Sequence, residues 1–246
     1  MNTNVITFDG YSGTGKGTIS IMLAKKIGFH YLDSGALYRT LAYKIIESKI
    51  NPKSDLTKFL VSIDNFDVSF IYNKDDQIDV FYDGKCLNSF IRDENTAKAA
   101  SEIAKNNEVR KFLEKYQRLF EKPPGLVADG RDMGSKIFKN AGLKFFFVAN
   151  LKKRAERRYY QLKNQGISAN LPDLEDKLSI RDINDTTRSL SPLVKPEGAI
   201  EIDTSDLTIT KVFDIVMKEF DKSNIIKNNE WRFYKFNWTK YFKITS

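Results

Sequence analysis

The 246 residues carry a formal net charge of +8 with a single cysteine and a single histidine. Cys86 alone excludes an intrachain disulfide, and His30 alone argues against histidine-based catalysis and a histidine-rich metal site. No apolar run reaches the length of a bilayer span and nothing at the N-terminus reads as a signal peptide, so a cytoplasmic protein is expected. The basic balance suits an acidic partner, either phosphorylated nucleotides or nucleic acid.

In chain order, the apolar run Val5-Ile6-Thr7-Phe8 predicts a strand, and Ile19, Met22, Leu23 and Ile27 predict a helix. Between them lies Gly10-Tyr11-Ser12-Gly13-Thr14-Gly15-Lys16-Gly17-Thr18. Strand, glycine-rich turn and helix form the context in which GxxxxGK binds phosphate: the glycines let successive N–H groups face one concavity at a helix N-terminus. Lys16 would reach the outer phosphates of a nucleoside triphosphate. Gly17 stands where the general pattern has Ser or Thr, and the hydroxyl follows at Thr18.

Residues 29–32 predict a second strand ending at Asp33, and Asp33 or Ser34 can cap a helix with Leu37, Leu41 and Ile45 on one face. Arg39 falls off that stripe, and Pro52 ends the helix. From about Asn65 apolar residues alternate (Phe66, Val68, Phe70; Ile78, Val80, Tyr82) around turns at 73–77 and 83–84, which predicts an antiparallel meander. Two helices follow, about 94–105 and 108–120. Residues 126–128 and 144–149 read as buried strands flanking Asp129-Gly-Arg-Asp-Met-Gly134. A basic helix over 151–165 carries Arg154, Arg157 and Arg158, and another helix, about 173–187, carries Arg181, Asp185 and Arg188. A last strand spans 199–202, and a last helix is expected to turn Ile209, Val212, Phe213, Val216 and Phe220 inward. The fold class that follows is α/β: a phosphate-loop parallel sheet wound with helices, plus an inserted small antiparallel-sheet-and-helix domain. Ligands belong at the carboxyl ends of the strands, where Gly10, Asp33 and Asp129 lie.

Phosphoryl transfer needs positioning and positive charge more than a nucleophile or base, and the arginine fork suits phosphate oxygens. Arg154 and Arg158 stand four apart on one helix, and Arg181, Asp185 and Arg188 stand at i, i+4 and i+7, again one face.

Taken together, ITFDGYSGTGKGT, LDSGALYR, ADGRDMG, the arginine helix ending in QLKNQG, RDINDTTR and SPLVKPEGAIEIDTS resemble bacterial cytidylate kinases, nucleoside monophosphate kinases of the phosphate-loop class. The resemblance spans residues 5 to about 220 and accommodates Gly17, because GKGT fits that family. It implies transfer of a phosphoryl group from ATP to CMP or dCMP, with Mg2+ near Thr18. It further implies that Lys16 and the loop from Gly10 to Thr18 hold ATP, and that Ser34, Arg39, Arg131 and Arg188 hold the CMP phosphate. By the same resemblance Arg181 and Asp185 hold the ribose, Ser101, Arg110 and Asp132 read the cytosine edge, and Arg154 and Arg158 (with Arg157 near) belong to a closing lid. A monomer is expected. The implied organisation is a kinase core over 1–63 and 121–221 including a lid at about 151–170, a monophosphate-binding insert over 64–120, and a tail over 222–246. In that tail Trp231, Phe233, Tyr234, Phe236, Trp238, Tyr241 and Phe242 interleave with basic residues. Two readings stay open for it: single-stranded nucleic-acid binding or the covering of apolar surface.

Rival readings are a kinase for UMP, AMP or a small alcohol, and a basic nucleic-acid-binding protein. Asn73-Lys74-Asp75-Asp76 matches the guanine-reading NKxD of regulatory GTPases, but it sits in a predicted hairpin turn and the chain has no DxxG. The GTPase reading is rejected.

Overall fold

In the computed structural model, residues 3–51, 54–164 and 166–225 are described. Five parallel strands form the main sheet: β1 (Thr3–Gly10), β2 (His30–Asp33), β6 (Leu126–Asp129), β7 (Ala141–Val148) and β8 (Ile200–Asp203), in the order β2-β6-β1-β7-β8. Strands buried on both faces can be apolar throughout, and β6 and the KFFFV stretch of β7 read that way. The register pairs Asp33 with Asp129, Phe8 with Asp129, and Gly10 with Phe147, so the strands end at one common edge. Phe8 sits centrally, its ring 5.0 Å from that of Phe145 and 5.6 Å from that of Phe147.

Around this sheet run α1 (Lys16–Ile27), α2 (Ser34–Glu47), α7 (Leu151–Asn164), α8 (Leu171–Thr187) and α9 (Ile209–Lys222). Asp33 caps α2, its Oδ1 accepting from Ala36 N at 2.9 Å. The helix stops at Glu47, ahead of Pro52, which lies outside the described residues. A short helix α3 (Leu56–Ser62), not expected from the sequence, buries Leu56 and Leu60. The antiparallel sheet β3 (Val68–Tyr72), β4 (Ile78–Tyr82), β5 (Lys85–Cys86) follows as expected, with α4 (Asn88–Ile91), α5 (Glu94–Ile103) and α6 (Asn107–Arg118). Asn73 of the NKxD look-alike serves the β3–β4 turn, its side-chain oxygen accepting from Asp75 N and Gln77 N. One apolar core runs from the main sheet into this second sheet, whereas α7 and α8 share a separate small cluster of Ala155, Leu174 and Leu178. In α9 Val212, Val216 and Phe220 point inward as expected. Ile209 does not: it is 57% exposed, at the first residue of the helix behind the Thr208 cap, where the chain has only begun to turn along α1. Of the predicted tail, residues 226–246 lie outside the described residues.

DGRDMG opens a π-helical turn over Met133–Ile137. Its cause lies on β1. The fully buried Asp9 accepts from Met133 N at 2.8 Å and Gly134 N at 2.7 Å, fixing the backbone immediately after Arg131 and Asp132. Burial is the largest influence on Asp9 and, with Asp132 and Asp129 nearby, it pushes the carboxyl up to about 7 against the two N–H bonds. Folding therefore favours the protonated group. Its stabilising share is complete below about pH 4 and is lost as the pH rises to about 7. Asp9→Asn should flatten the decline in melting temperature between pH 4 and 7; an unchanged slope would show that Asp9 titrates elsewhere.

Candidate functional site

The phosphate loop leaves β1 at Gly10, whose φ of 141° and closeness to Phe147 exclude a side chain: a Cβ there would stand 2.1 Å from the Phe147 oxygen. Gly13 and Gly15 also take positive φ, 77° and 85°. Side chains tie the loop's carbonyls on its outer side. Thr14 Oγ1 donates to Tyr11 O at 3.0 Å, Thr204 Oγ1 to Thr14 O at 2.9 Å, and Arg154 Nη1 to Ser12 O at 3.1 Å. Among the described residues, the N–H groups of Ser12, Gly13, Thr14 and Gly15 have no acceptor. With carbonyls tied and amides free at the start of α1, the loop is an anion receptor.

Lys16 is only 9% exposed and lies 3.6 Å from Asp129 Oδ1 at the end of β6. Desolvation outweighs their mutual attraction on both sides: burial pushes the Asp129 carboxyl up and the Lys16 ammonium down. Arg131 adds to the depression of Lys16. The sequence marked Asp129 as a strand end without giving it a role, and the structure puts it against the loop lysine. Its Oδ1 is buried without a hydrogen-bond partner, a Cβ on Gly17 would stand 3.0 Å from its Oδ2, and Thr18, one residue further in the first turn of α1, is exposed. Carboxylate and hydroxyl oxygens beside a phosphate loop are a donor set that fits Mg2+.

Beyond Lys16 the arginines converge. Arg131 Nε donates to Asp185 Oδ2 at 2.9 Å, and Arg188 Nη1 reaches Asp185 Oδ1 at 3.4 Å, so one carboxylate on α8 serves two guanidinium groups. Burial would raise Asp185, but Arg131, Arg181 and Arg188 outweigh it and hold the carboxyl below its usual value. Arg181 has no hydrogen-bond or ion-pair partner among the described residues. Desolvation, then Arg131 and Arg39, lower it to about 10. Among the described residues Arg39 on α2 donates only to Gly35 O, at 3.2 Å. Arg158 Nη1 donates to Gln161 Oε1 at 2.8 Å and the side chain is exposed; partial desolvation, and after it the charge of Arg39, depress it.

At the other end, buried Asp132 pairs through Oδ2 with Arg110 Nη2, while Arg110 Nη1 donates to Ala104 O at 3.0 Å. The Arg110 guanidinium lies 5.8 Å from the Tyr38 ring centre, and Tyr38, pushed up to about 12 by burial, lines the same corner without having been marked by the sequence. Ser101 is half-buried on α5, with no bond to that pair. Ser34 opens α2, where its Oγ accepts from Gln117 Nε2 at 2.8 Å.

Two of the three basic-helix arginines are committed to the framework. Arg154 is 4% exposed. Its guanidinium bonds Ala149 O at 3.0 Å, Ser12 O, and Asp182 at 2.6 Å, and stands 5.2 Å from the Tyr11 ring centre. Arg157 donates to Thr204 O and to Thr204 Oγ1 at 3.1 Å. Arg158, by contrast, is exposed and bonds only Gln161 on its own helix among the described residues. Thus Arg154 and Arg158 share a helix as expected but are used differently. Arg154→Ala should destabilise the fold by about 3–5 kcal/mol, the cost of breaking a buried pair. Arg158→Ala should stay within about 0.5 kcal/mol, the usual range for a surface change. Denaturant unfolding of both variants decides it, and equal losses would contradict the division of labour.

A family profile described as cytidylate kinase matches residues 6–222. A protein from Marinomonas sp. (strain MWYL1) named cytidylate kinase is 40% identical over 222 residues, spanning 90% of this chain and 97% of the relative. Proteins of that name from Azotobacter vinelandii (strain DJ / ATCC BAA-1303) and Nitrosococcus oceani (strain ATCC 19707) are 42% identical over 217 residues and 45% over 215. Each pairing covers 87% of this chain and 94% of the relative. Matched along nearly all of its described residues, from the phosphate loop through the arginines of α8 to the end of α9, the chain belongs to the cytidylate kinase family.

Proposed function

We propose that this protein transfers the terminal phosphoryl group of ATP to CMP and dCMP, giving ADP with CDP or dCDP. The observation that carries the reading is the cationic cluster of Lys16, Arg39, Arg131, Arg181 and Arg188, in which Arg181 makes no hydrogen bond or ion pair among the described residues. Two sets of phosphates supply the missing negative charge. Residues 64–120 act in this reading as the monophosphate-binding insert, and the stretch at about 151–170 as the lid.

The loop amides and Lys16 hold the β- and γ-phosphates. Ser34, Arg39, Arg131 and Arg188 hold the CMP phosphate, which orients an oxygen of the acceptor in line with the bond to be broken. Arg181 and Asp185 take the ribose, and that position keeps Arg181 beside the transferring group. As the bond to ADP lengthens, charge spreads over the moving phosphoryl oxygens, and fixed donors stabilise it without reorganising. Arg158 joins them when α7 closes. Thr18 and Asp129 would hold Mg2+, which supplies neutralisation of phosphate charge. No covalent enzyme intermediate is required.

Base choice rests on Asp132 and Arg110, with Ser101 adapting as donor or acceptor. Asp132 spends Oδ2 on Arg110, and Oδ1 is left to accept from the cytosine 4-amino group. Uracil presents an oxygen there and would meet like charge. Arg110 has donors alone, which suits the cytosine acceptors.

A coupled assay of ADP release with CMP, dCMP, UMP and AMP tests this. CMP and dCMP should be preferred. Asp132→Ala should lower kcat/KM for CMP by about 10- to 100-fold, the size of one or two unpaired polar groups, while changing UMP little. Preference for UMP or AMP in the wild type, or equal proportional losses in the variant, would contradict the assignment.

A further inference from the structure

Gln117 is 1% exposed on α6, and its Oε1 has no hydrogen-bond partner. A buried amide with an orphaned oxygen is a cost to the fold, and an apolar side chain of similar volume would serve packing better. Stability therefore does not account for glutamine here. Its one bond does: Nε2 donates to Ser34 Oγ at 2.8 Å, across from α6 to the first residue of α2.

The consequence concerns a proton. A serine hydroxyl can donate once and accept twice. With an amide N–H pointing at it, Ser34 Oγ is fixed as acceptor on that side and its own O–H must turn elsewhere. Among the described residues that O–H has no acceptor. It opens α2 beside Arg39, which folds back onto Gly35 O, so the free proton and the guanidinium stand at the same helix start. We propose that Gln117 is a positioning residue for the acceptor's phosphate, orienting the Ser34 hydroxyl as a donor to it. The proposal rests on the reading of CMP as acceptor and Ser34 as a phosphate contact. It also gives α6 a double task. Arg110, Leu113 and Gln117 are buried on one face, so the helix carries the base-side arginine and, two turns or about 10 Å along its axis, the group that sets the phosphate-side hydroxyl.

The test compares CMP with cytidine, which lacks the phosphate, by calorimetric titration of the full-length protein, alongside steady-state kinetics. Gln117→Leu should fold at least as stably as wild type, bind CMP about tenfold more weakly, as for loss of one hydrogen bond to a charged group, and bind cytidine unchanged. KM for ATP should hold. Gln117→Glu keeps the shape but offers an acceptor, so the Ser34 proton turns inward and a negative charge is added; its loss for CMP should exceed that of Gln117→Leu. The double variant with Ser34→Ala should be no worse than Ser34→Ala alone. Equal weakening for CMP and cytidine would mean that Gln117 merely shapes α6 and would overturn the proposal. So would CMP affinity within about twofold of wild type, or additive losses in the double variant. Wild-type protein that fails to phosphorylate CMP would overturn the acceptor assignment itself, whereas wild-type activity with an indifferent Gln117 overturns only this role.

Discussion

The structure depends on holding more positive than negative charge in a partly dry cleft at the carboxyl edge of one sheet. Arg131 and Arg188 share a single carboxylate, Asp185, and Arg181 has no direct ion pair among the described residues. Burial first, and the neighbouring Arg131 after it, depress Lys16 and Arg181, so both desolvation and like-charge repulsion act on the site. Such a site is unfavourable to the free protein and favourable to anything that brings several phosphate charges at once. That is the electrostatic form of a receptor built for the transition state of phosphoryl transfer.

What keeps the cluster from dispersing is the framework behind it. The parallel register ends β1, β2 and β6 together, so the phosphate loop, the start of α2 and the DGRDMG turn face one another. Asp9 pins that turn from beneath. Arg154 and Arg157 tie α7 to the loop and to Thr204 through backbone carbonyls, so the same residue type serves as strut in two places and as ligand-facing charge in others.

Much of this was legible in the sequence because it is local. The phosphate loop, the apolar strands and the Asp33 cap each depend on a few neighbouring residues, and each formed as expected. What escaped depends on distant partners. Helix α3 is seven residues long with two buried leucines, too short for periodicity to mark. The π-helical turn exists because Asp9, more than a hundred positions earlier, accepts from Met133 and Gly134. Arg154 and Arg158 look equivalent at i and i+4, and only Ala149 O, Ser12 O and Asp182 make one of them a strut. Ile209 continues the apolar stripe of α9 on paper, but at the helix's first residue it stays exposed. Gln117 carried no signal at all, since its meaning lies in Ser34 on another helix.

The claim that this site stores unfavourable charge for its ligands is most directly tested by unfolding Arg181→Met in the absence and presence of nucleotides. Removing a desolvated arginine without a counter-ion should stabilise the free protein by about 1 kcal/mol, roughly 2–4 °C in Tm for a chain of this size. Added CMP and ATP, which should raise the Tm of the wild type, should then raise it much less. A free variant less stable than wild type, with its nucleotide-induced rise intact, would contradict the account.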